Sequence, residues 1–396
     1  MDLGDTKVSM EKHSLDSFIE INQKIYDKRS VLLHEPVFSG NEKTYLNDVI
    51  DSTYVSYAGK YVDQFEKKIA TFTGAKYAVS TVNGTAALHA ALLTLGVMQG
   101  DEVITQSLTF VATVNAIKYC GADPIFLDVD EDTMGLSPDH LRHFLETNTI
   151  KVNGRVINKL SNNPISCIMP MHTFGIPARI TELCSIAQDF DLPLLEDSAE
   201  ALGSRSNGKH LGRYGKLGVL SFNSNKIITT GGGGMIITDD ENAYLKLMHI
   251  TKTGKVSHKY EFLHDEIGYN YRLPNLNACV GVAQLERLDE ILALKKDLAV
   301  FWSGFFAPLG IKLKNGGKND LINNWLIAIQ LRSHQERSHF LDYTNDAGVS
   351  TRPIWTLMSD LPMFKNAISD NLLTSRHLAD TIVNIPSGVP RNRLTR

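Results

Sequence analysis

The chain has little cysteine, no long apolar run and no excess of positive charge. Its four cysteines, Cys120, Cys167, Cys184 and Cys279, are spread over 396 residues and form no C-x-x-C pair. That excludes a disulfide framework and a cysteine-based zinc site, calls for no metal, and leaves buried free thiols as the expectation. No stretch approaches the roughly 20 apolar residues of a membrane-spanning helix. The amino terminus, MDLGDTKVSMEKHSLDSF, lacks the apolar core of a secretory signal, so a cytoplasmic protein with no membrane partner is expected. Acidic residues outnumber basic ones, 44 to 40, for a formal net charge of −4. A nucleic-acid partner would demand the opposite balance. No internal repeat is present, which excludes a solenoid. What is present is ordinary globular usage, 43% hydrophobic and 21% charged, enough to bury a core and exclude general disorder.

From about residue 75, short apolar runs alternate with longer amphipathic ones. KYAVST, EVITQ, PIFLDVD, SCIMPM and LPLLED read as strands; TAALHAALLTLG, FVATVNAIKYCG, LRHFLET and ITELCSIAQDF read as the helices between them. Such alternation predicts an α/β fold with a mostly parallel sheet covered by helices on both faces. VLSFNS and GMIITDD follow one another closely, which predicts an antiparallel or edge pair. Past residue 250 the pattern changes to one long helical run, VGVAQLERLDEILALKKDLAVFW, then WLIAIQL, a helix over HQERSHFLDYTNDAG, and VSTRPIW. These predict a smaller α+β unit. The division expected is an amino-terminal extension over 1–34, a large α/β domain over 35–255 that carries the chemistry, and a small domain over 256–396.

Three segments carry candidate chemistry. In NGTAALHAAL a strand ends, Gly84 permits a tight turn, and a helix starts near Thr85. Free amides and the helix dipole there form an anion site, although an N-cap alone would look the same. In LPLLEDSAEALGS, Asp197 stands at the end of a buried strand, where it suits a ligand nitrogen that must stay protonated or caps the next turn. In LSFNSNKIITTGGGG, Lys226 sits among hydroxyl and amide side chains and is either a surface lysine or an imine-forming amine. Together they are the parts of a pyridoxal phosphate site: a phosphate cradle, an acid for the pyridine nitrogen, and a lysine. A nicotinamide oxidoreductase is disfavoured, because no G-x-G-x-x-G opens a helix after a strand.

These segments, with TFVATVNAIKYCGADPIFLDVD, MHTFG and GYNYRLPNLNACVGVAQLERLD, give the chain its resemblance to the DegT/StrS sugar-nucleotide aminotransferases, from about Glu35 to at least Arg352. The resemblance implies the fold-type-I architecture of pyridoxal-phosphate enzymes and a homodimer with active sites at the subunit interface. Within the group it is most similar to the LegC-type enzymes of legionaminic-acid pathways, through TTGGGG, EDSAEALGS and HDEIGYNYRLPN. Carried over by position, it implies that Lys226 holds the cofactor covalently and moves the reacting proton. Gly84, Thr85 and Ser221 hold the phosphate, Asp197 pairs with the ring nitrogen, and Phe110 stacks on the ring. Asn270 reaches the phosphate of the neighbouring subunit. Glu200 stands where many relatives have His or Gln, on the O3′ side of the cofactor. His172 and Arg352 lie in segments that line the substrate side. The activity implied is transfer of an amino group from L-glutamate to a keto sugar on a nucleotide, most closely a UDP-linked 4-keto-6-deoxy-N-acetylhexosamine. A 3-keto, GDP- or dTDP-linked acceptor, or a non-catalytic cofactor-binding relative, is the alternative.

Overall fold

The computed structural model describes residues 10–390; the first nine residues of the amino-terminal extension and the last six of the chain lie outside the described residues. The central sheet comprises β1 (Tyr77–Thr81), β2 (Glu102–Gln106), β3 (Asp123–Leu127), β4 (Pro164–Ile168), β5 (Leu195–Asp197), β6 (Leu217–Ser221) and β7 (Gly234–Thr238). Their order across the sheet is β1-β7-β6-β5-β4-β2-β3, with β4 and β5 joined by a parallel bridge between Ile168 and Leu194. Of these strands, β7 alone runs opposite to the other six. The β6–β7 pair is antiparallel as its spacing predicts, but it is not an edge addition. Every residue of GMIIT is buried, so β7 needs a neighbour on each side and lies between β1 and β6.

The helices that position the chemistry are short and apolar. Numbered along the chain, α1 is Lys12–Tyr26, α2 is Gly84–Thr94 and α3 is Val111–Tyr119. The sequence of α2, GTAALHAALLT, is apolar on all sides, and the helix packs between the sheet and α3, with Ala86 to Leu92 buried. Among the described residues no helix is long and apolar enough to cross a membrane.

The small α+β unit is built on an antiparallel sheet in the order Lys312–Leu313, Ile327–Gln330, Ile382–Ile385, Arg352–Pro353. The long helical run is two helices, Asn275–Leu285 and Leu288–Phe306, broken at Glu286–Arg287. The described part of the amino-terminal extension is not separate from this unit. Phe18 of α1 is fully buried, 5.0 Å from the Trp302 ring and 5.3 Å from that of Phe340. α1 thus completes the core of the carboxy-terminal unit.

With β7 the exception, the strands point one way, so β1, β2, β5 and β6 end at the same edge of the sheet. In open α/β sheets ligand sites form outside the carboxyl ends of the strands. Gly84, Phe110, Asp197 and Lys226 all follow or end one of these four strands.

Candidate active site

At the end of β1, Asn83 caps α2 by accepting from the Ala86 amide at 2.7 Å. Among the described residues no acceptor faces the amides of Gly84 and Thr85. Ser221, the last residue of β6, closes over this terminus. A Cβ on Gly84 would lie 3.0 Å from the Ser221 Cβ and 3.1 Å from its Oγ, so glycine is what lets strand and helix meet. Gly234 does the same for β7, where a Cβ would come within 2.4 Å of the Asn83 carbonyl oxygen. Two unused amides, a threonine hydroxyl and a serine hydroxyl at a helix N-terminus are a cradle for a phosphate.

Asp197 ends β5 and is 2% exposed. Its Oδ2 accepts from Thr113 Oγ1 at 2.7 Å, and its Oδ1 accepts from the Ala199 amide at 3.1 Å. Thr113 lies one turn after Phe110, so the first turn of α3 that starts at Phe110 brings Thr113 to Asp197. The Phe110 ring is 46% exposed and touches Trp355 on one side only, at 6.1 Å between centroids. A large exposed ring near a buried acid offers a stacking face for a flat ligand.

Lys226, in the loop after β6, donates from Nζ to Glu200 Oε1 at 3.1 Å, and the same nitrogen lies 4.0 Å above the centre of the Trp325 ring. Glu200 Oε2 accepts from the Phe174 amide. Asn323 braces the turn that carries Glu200, donating to the carbonyls of Glu200 and Leu202. Burial raises the carboxyl of Asp197 above its usual range, opposed by the bonds from Thr113 and Ala199 and by Lys226. Burial raises Glu200 too, opposed first by Lys226. Two buried carboxyls therefore share one ammonium. A second cation would help to keep both ionised, and a protonated ring nitrogen of a cofactor held at Asp197 would supply it. Acid, phosphate cradle, exposed aromatic face and lysine fit pyridoxal phosphate.

Not every expected residue joins this group. His172 is a correction. It is fully buried, its Nε2 is 3.0 Å from Glu196 Oε2, and its Nδ1 accepts from the Ala178 amide, so no ring nitrogen is left for a substrate. Glu196 in turn accepts from the amides of Gly212, Tyr214 and Gly215, and the pair anchors a loop. Arg352 is exposed, and its guanidinium donates to Asn345 Oδ1 and to the Thr351 carbonyl, both at 2.7 Å. Arg272 is buried and paired with Glu66 at 2.7 Å, a structural role. Asn270 is exposed and makes no side-chain hydrogen bond among the described residues, so in its own chain it does not meet Lys226. Thr113 and Trp325 are the functional neighbours the sequence reading missed. Thr113 was discoverable, one helical turn beyond Phe110; Trp325 was not, because its approach depends on packing between two units.

Comparison with known proteins agrees with this geometry. Residues 37–392 match the DegT/DnrJ/EryC1/StrS aminotransferase family. A GDP-perosamine synthase of Escherichia coli O157:H7 is 35% identical over 355 residues, 90% of this chain and 92% of that protein. A GDP-perosamine synthase of Vibrio cholerae is 35% identical over 358 residues, covering 90% and 93%. The X-ray structure of the aminotransferase from Psychrobacter cryohalolentis superposes with a TM-score of 0.80 at 26% identity, over 89% of this chain and 93% of that one.

Proposed function

Because the chain belongs to the DegT/DnrJ/EryC1/StrS aminotransferase family, we propose that it moves an amino group from L-glutamate to C4 of a nucleotide-linked 4-keto-6-deoxy sugar. The protein is a pyridoxal-phosphate-dependent sugar aminotransferase. The observation that carries the reading is Lys226, held between the Glu200 carboxyl and the Trp325 ring, at the same sheet edge as Asp197 and the open terminus of α2. When bound, the cofactor acts as an electron sink at the amino-bearing carbon and carries the amino group between the two substrates. Lys226 holds the cofactor and moves the proton at that carbon; its amine is aimed by an ion pair and a ring face rather than by solvent. Gly84, Thr85 and Ser221 bind the phosphate, Asp197 keeps the ring nitrogen charged, Phe110 stacks, and Glu200 holds the O3′ side.

For the acceptor we favour a UDP-linked 4-keto-6-deoxy-N-acetylhexosamine, on the legionaminic-type segments TTGGGG, EDSAEALGS and HDEIGYNYRLPN. That places the reaction in cytoplasmic synthesis of an amino sugar for a lipopolysaccharide or other surface glycan. A GDP-linked acceptor is the second reading, favoured by the two relatives at 35% identity. A panel of UDP-, GDP- and dTDP-linked keto sugars, assayed with glutamate for aminated product, decides between them. The UDP sugar is expected to react with a kcat/KM at least about tenfold above the others, the scale of one discriminating contact. Preference for the GDP sugar overturns the first choice, and turnover of none overturns the function.

The active unit proposed is a homodimer. The segment before Asn270 carries the hairpin of Lys255–Val256 and Leu263–His264, and it exposes Tyr260, Phe262 and Ile267, the last two by 80% and 82%. Exposed aromatic and aliphatic surface of this kind fits the cover of a second copy, which would carry Asn270 to the neighbour's phosphate. The test is complementation. A Lys226→Ala chain mixed with an Asn270→Ala chain forms heterodimers with one site whole, and activity is expected to exceed the sum of the two separate variants. No gain on mixing would contradict a shared site.

A further inference from the structure

Between two strand pairings the chain passes directly behind Lys226. Asp320–Leu321 pairs antiparallel with Arg205–Ser206, and Ile327–Gln330 enters the sheet of the small unit. Asn323 lies between them, 1% exposed, and its amide is fully used. Oδ1 accepts from the Trp325 amide at 2.9 Å, and Nδ2 donates to the carbonyls of Glu200 and Leu202 at 2.8 and 3.0 Å. Its backbone N–H donates to Ser204 Oγ, which in turn donates to the Gly175 carbonyl. The space around it is closed: a Cβ on Gly175 would lie 2.3 Å from Asn323 Oδ1. The two residues joined by this one side chain are the two that Lys226 rests against, Glu200 through its carboxyl and Trp325 through its ring. Trp325 is held from two further sides. Its indole N–H donates to the Asn225 carbonyl at 2.6 Å, and its carbonyl accepts from Lys295 Nζ at 3.1 Å.

We propose that Asn323 is a positioning residue for proton transfer: by clamping Glu200 to Trp325 it sets where the Lys226 amine stands. The proposal rests on the function argued above and deepens it. A planar amide suits the task, because one rigid group offers an acceptor to the Trp325 N–H and two donors to the turn that carries Glu200. Each of these backbone groups would be costly to leave buried without a partner, so the clamp stays closed. In the reaction a C–H bond at the amino-bearing carbon breaks and its proton passes to the Lys226 amine. The rate of that step depends on the amine standing within a fraction of an ångström of its productive place. Asn323 forms no hydrogen bond to Lys226, whose Nζ donates to Glu200, and so acts only through the two groups it joins.

Kinetics of the cofactor-loaded protein and labelling of the cofactor-free protein test this together. Asn323→Ala is expected to slow conversion with L-glutamate and with the keto sugar alike, by about 10- to 100-fold in kcat with KM little changed, the cost of a misplaced base. Asn323→Ser, which leaves a hydroxyl and room for water, is the second variant and should lose less. With glutamate deuterated at the α-carbon, the isotope effect on the change in cofactor absorbance should be larger in Asn323→Ala than in the wild type, because proton transfer has become the slow step. A protein that is only less stable has fewer working sites and an unchanged isotope effect. Added to Trp325→Leu, Asn323→Ala is expected to slow the reaction by no more than about threefold further, since both act through one clamp. Without cofactor, an amine-reactive reagent should label Lys226 several-fold faster in Asn323→Ala, read by mass spectrometry, because the amine is no longer pinned. An unchanged isotope effect, a rise in KM with kcat intact, full multiplication of the two losses, equal labelling, or failure of both Asn323 variants to fold overturns the assignment, although the aminotransferase reading stands. If the wild type itself transfers no amino group, the function fails, and the labelling alone decides whether Asn323 holds Lys226.

Discussion

Lys226→Ala is expected to lower turnover by on the order of 10⁴-fold or more, since in the proposed role Lys226 supplies both the covalent attachment and the base that moves the proton. The fold should survive. The side chain of Lys226 is 11% exposed, and the carboxylate it pairs with directly is Glu200. Burial already favours the protonated form of Glu200, so on loss of the ammonium the carboxyl takes up a proton instead of staying charged in the interior. The melting temperature is expected to shift by no more than a few degrees. Lys226→Arg separates charge from chemistry: it preserves a cation against Glu200 and Trp325, yet a guanidinium is neither nucleophile nor base at neutral pH. Arginine should therefore be nearly as inactive as alanine. An active arginine variant, measured by release of 2-oxoglutarate, would mean that Lys226 serves as a counter-ion alone.

Asp197→Asn carries the second largest effect. Asparagine keeps the volume, and with its oxygen turned to the Ala199 amide its nitrogen can donate to Thr113 Oγ1, so the change removes a charge with little disturbance of packing. Without the carboxylate the ring nitrogen has no partner to keep it protonated, and turnover is expected to drop by roughly 10²- to 10³-fold, the scale of a lost preorganised electrostatic contact. Stability should respond in the opposite direction. Burial raises the Asp197 carboxyl, so its ionised form is held against a desolvation cost that the neutral amide does not bear. In the cofactor-free protein the melting temperature is expected to hold or rise. Activity within tenfold of wild type would remove Asp197 from the site, and a large loss of stability would make it a structural acid.

Much of this was legible because the relevant features are local. The alternation of apolar and amphipathic runs dictates a mostly parallel sheet, and Gly84, Asp197 and Lys226 each stand where a strand stops. What the sequence could not reveal are consequences of long-range packing. Position in a motif suggested a substrate role for His172, but a fully buried neighbour, Glu196, occupies its ring, and that pairing spans 24 residues. The place of β7 within the sheet depends on partners at both sides rather than on its closeness to β6 in the chain. The described part of the segment before residue 35 reads as an appendage, yet Phe18 is in the core of the carboxy-terminal unit. Lys226 and Trp325, far apart in sequence, meet only in the fold.

The most direct test of the central claim is the visible absorption spectrum of the purified protein with pyridoxal phosphate, recorded before and after L-glutamate, alongside Lys226→Ala. The wild type is expected to show a long-wavelength band from cofactor bonded to Lys226, which glutamate replaces with a shorter-wavelength band as 2-oxoglutarate appears. The alanine variant should lack the first band. A wild-type protein that stays colourless with excess cofactor, or a band that persists in Lys226→Ala and ignores glutamate, would contradict the assignment of this site.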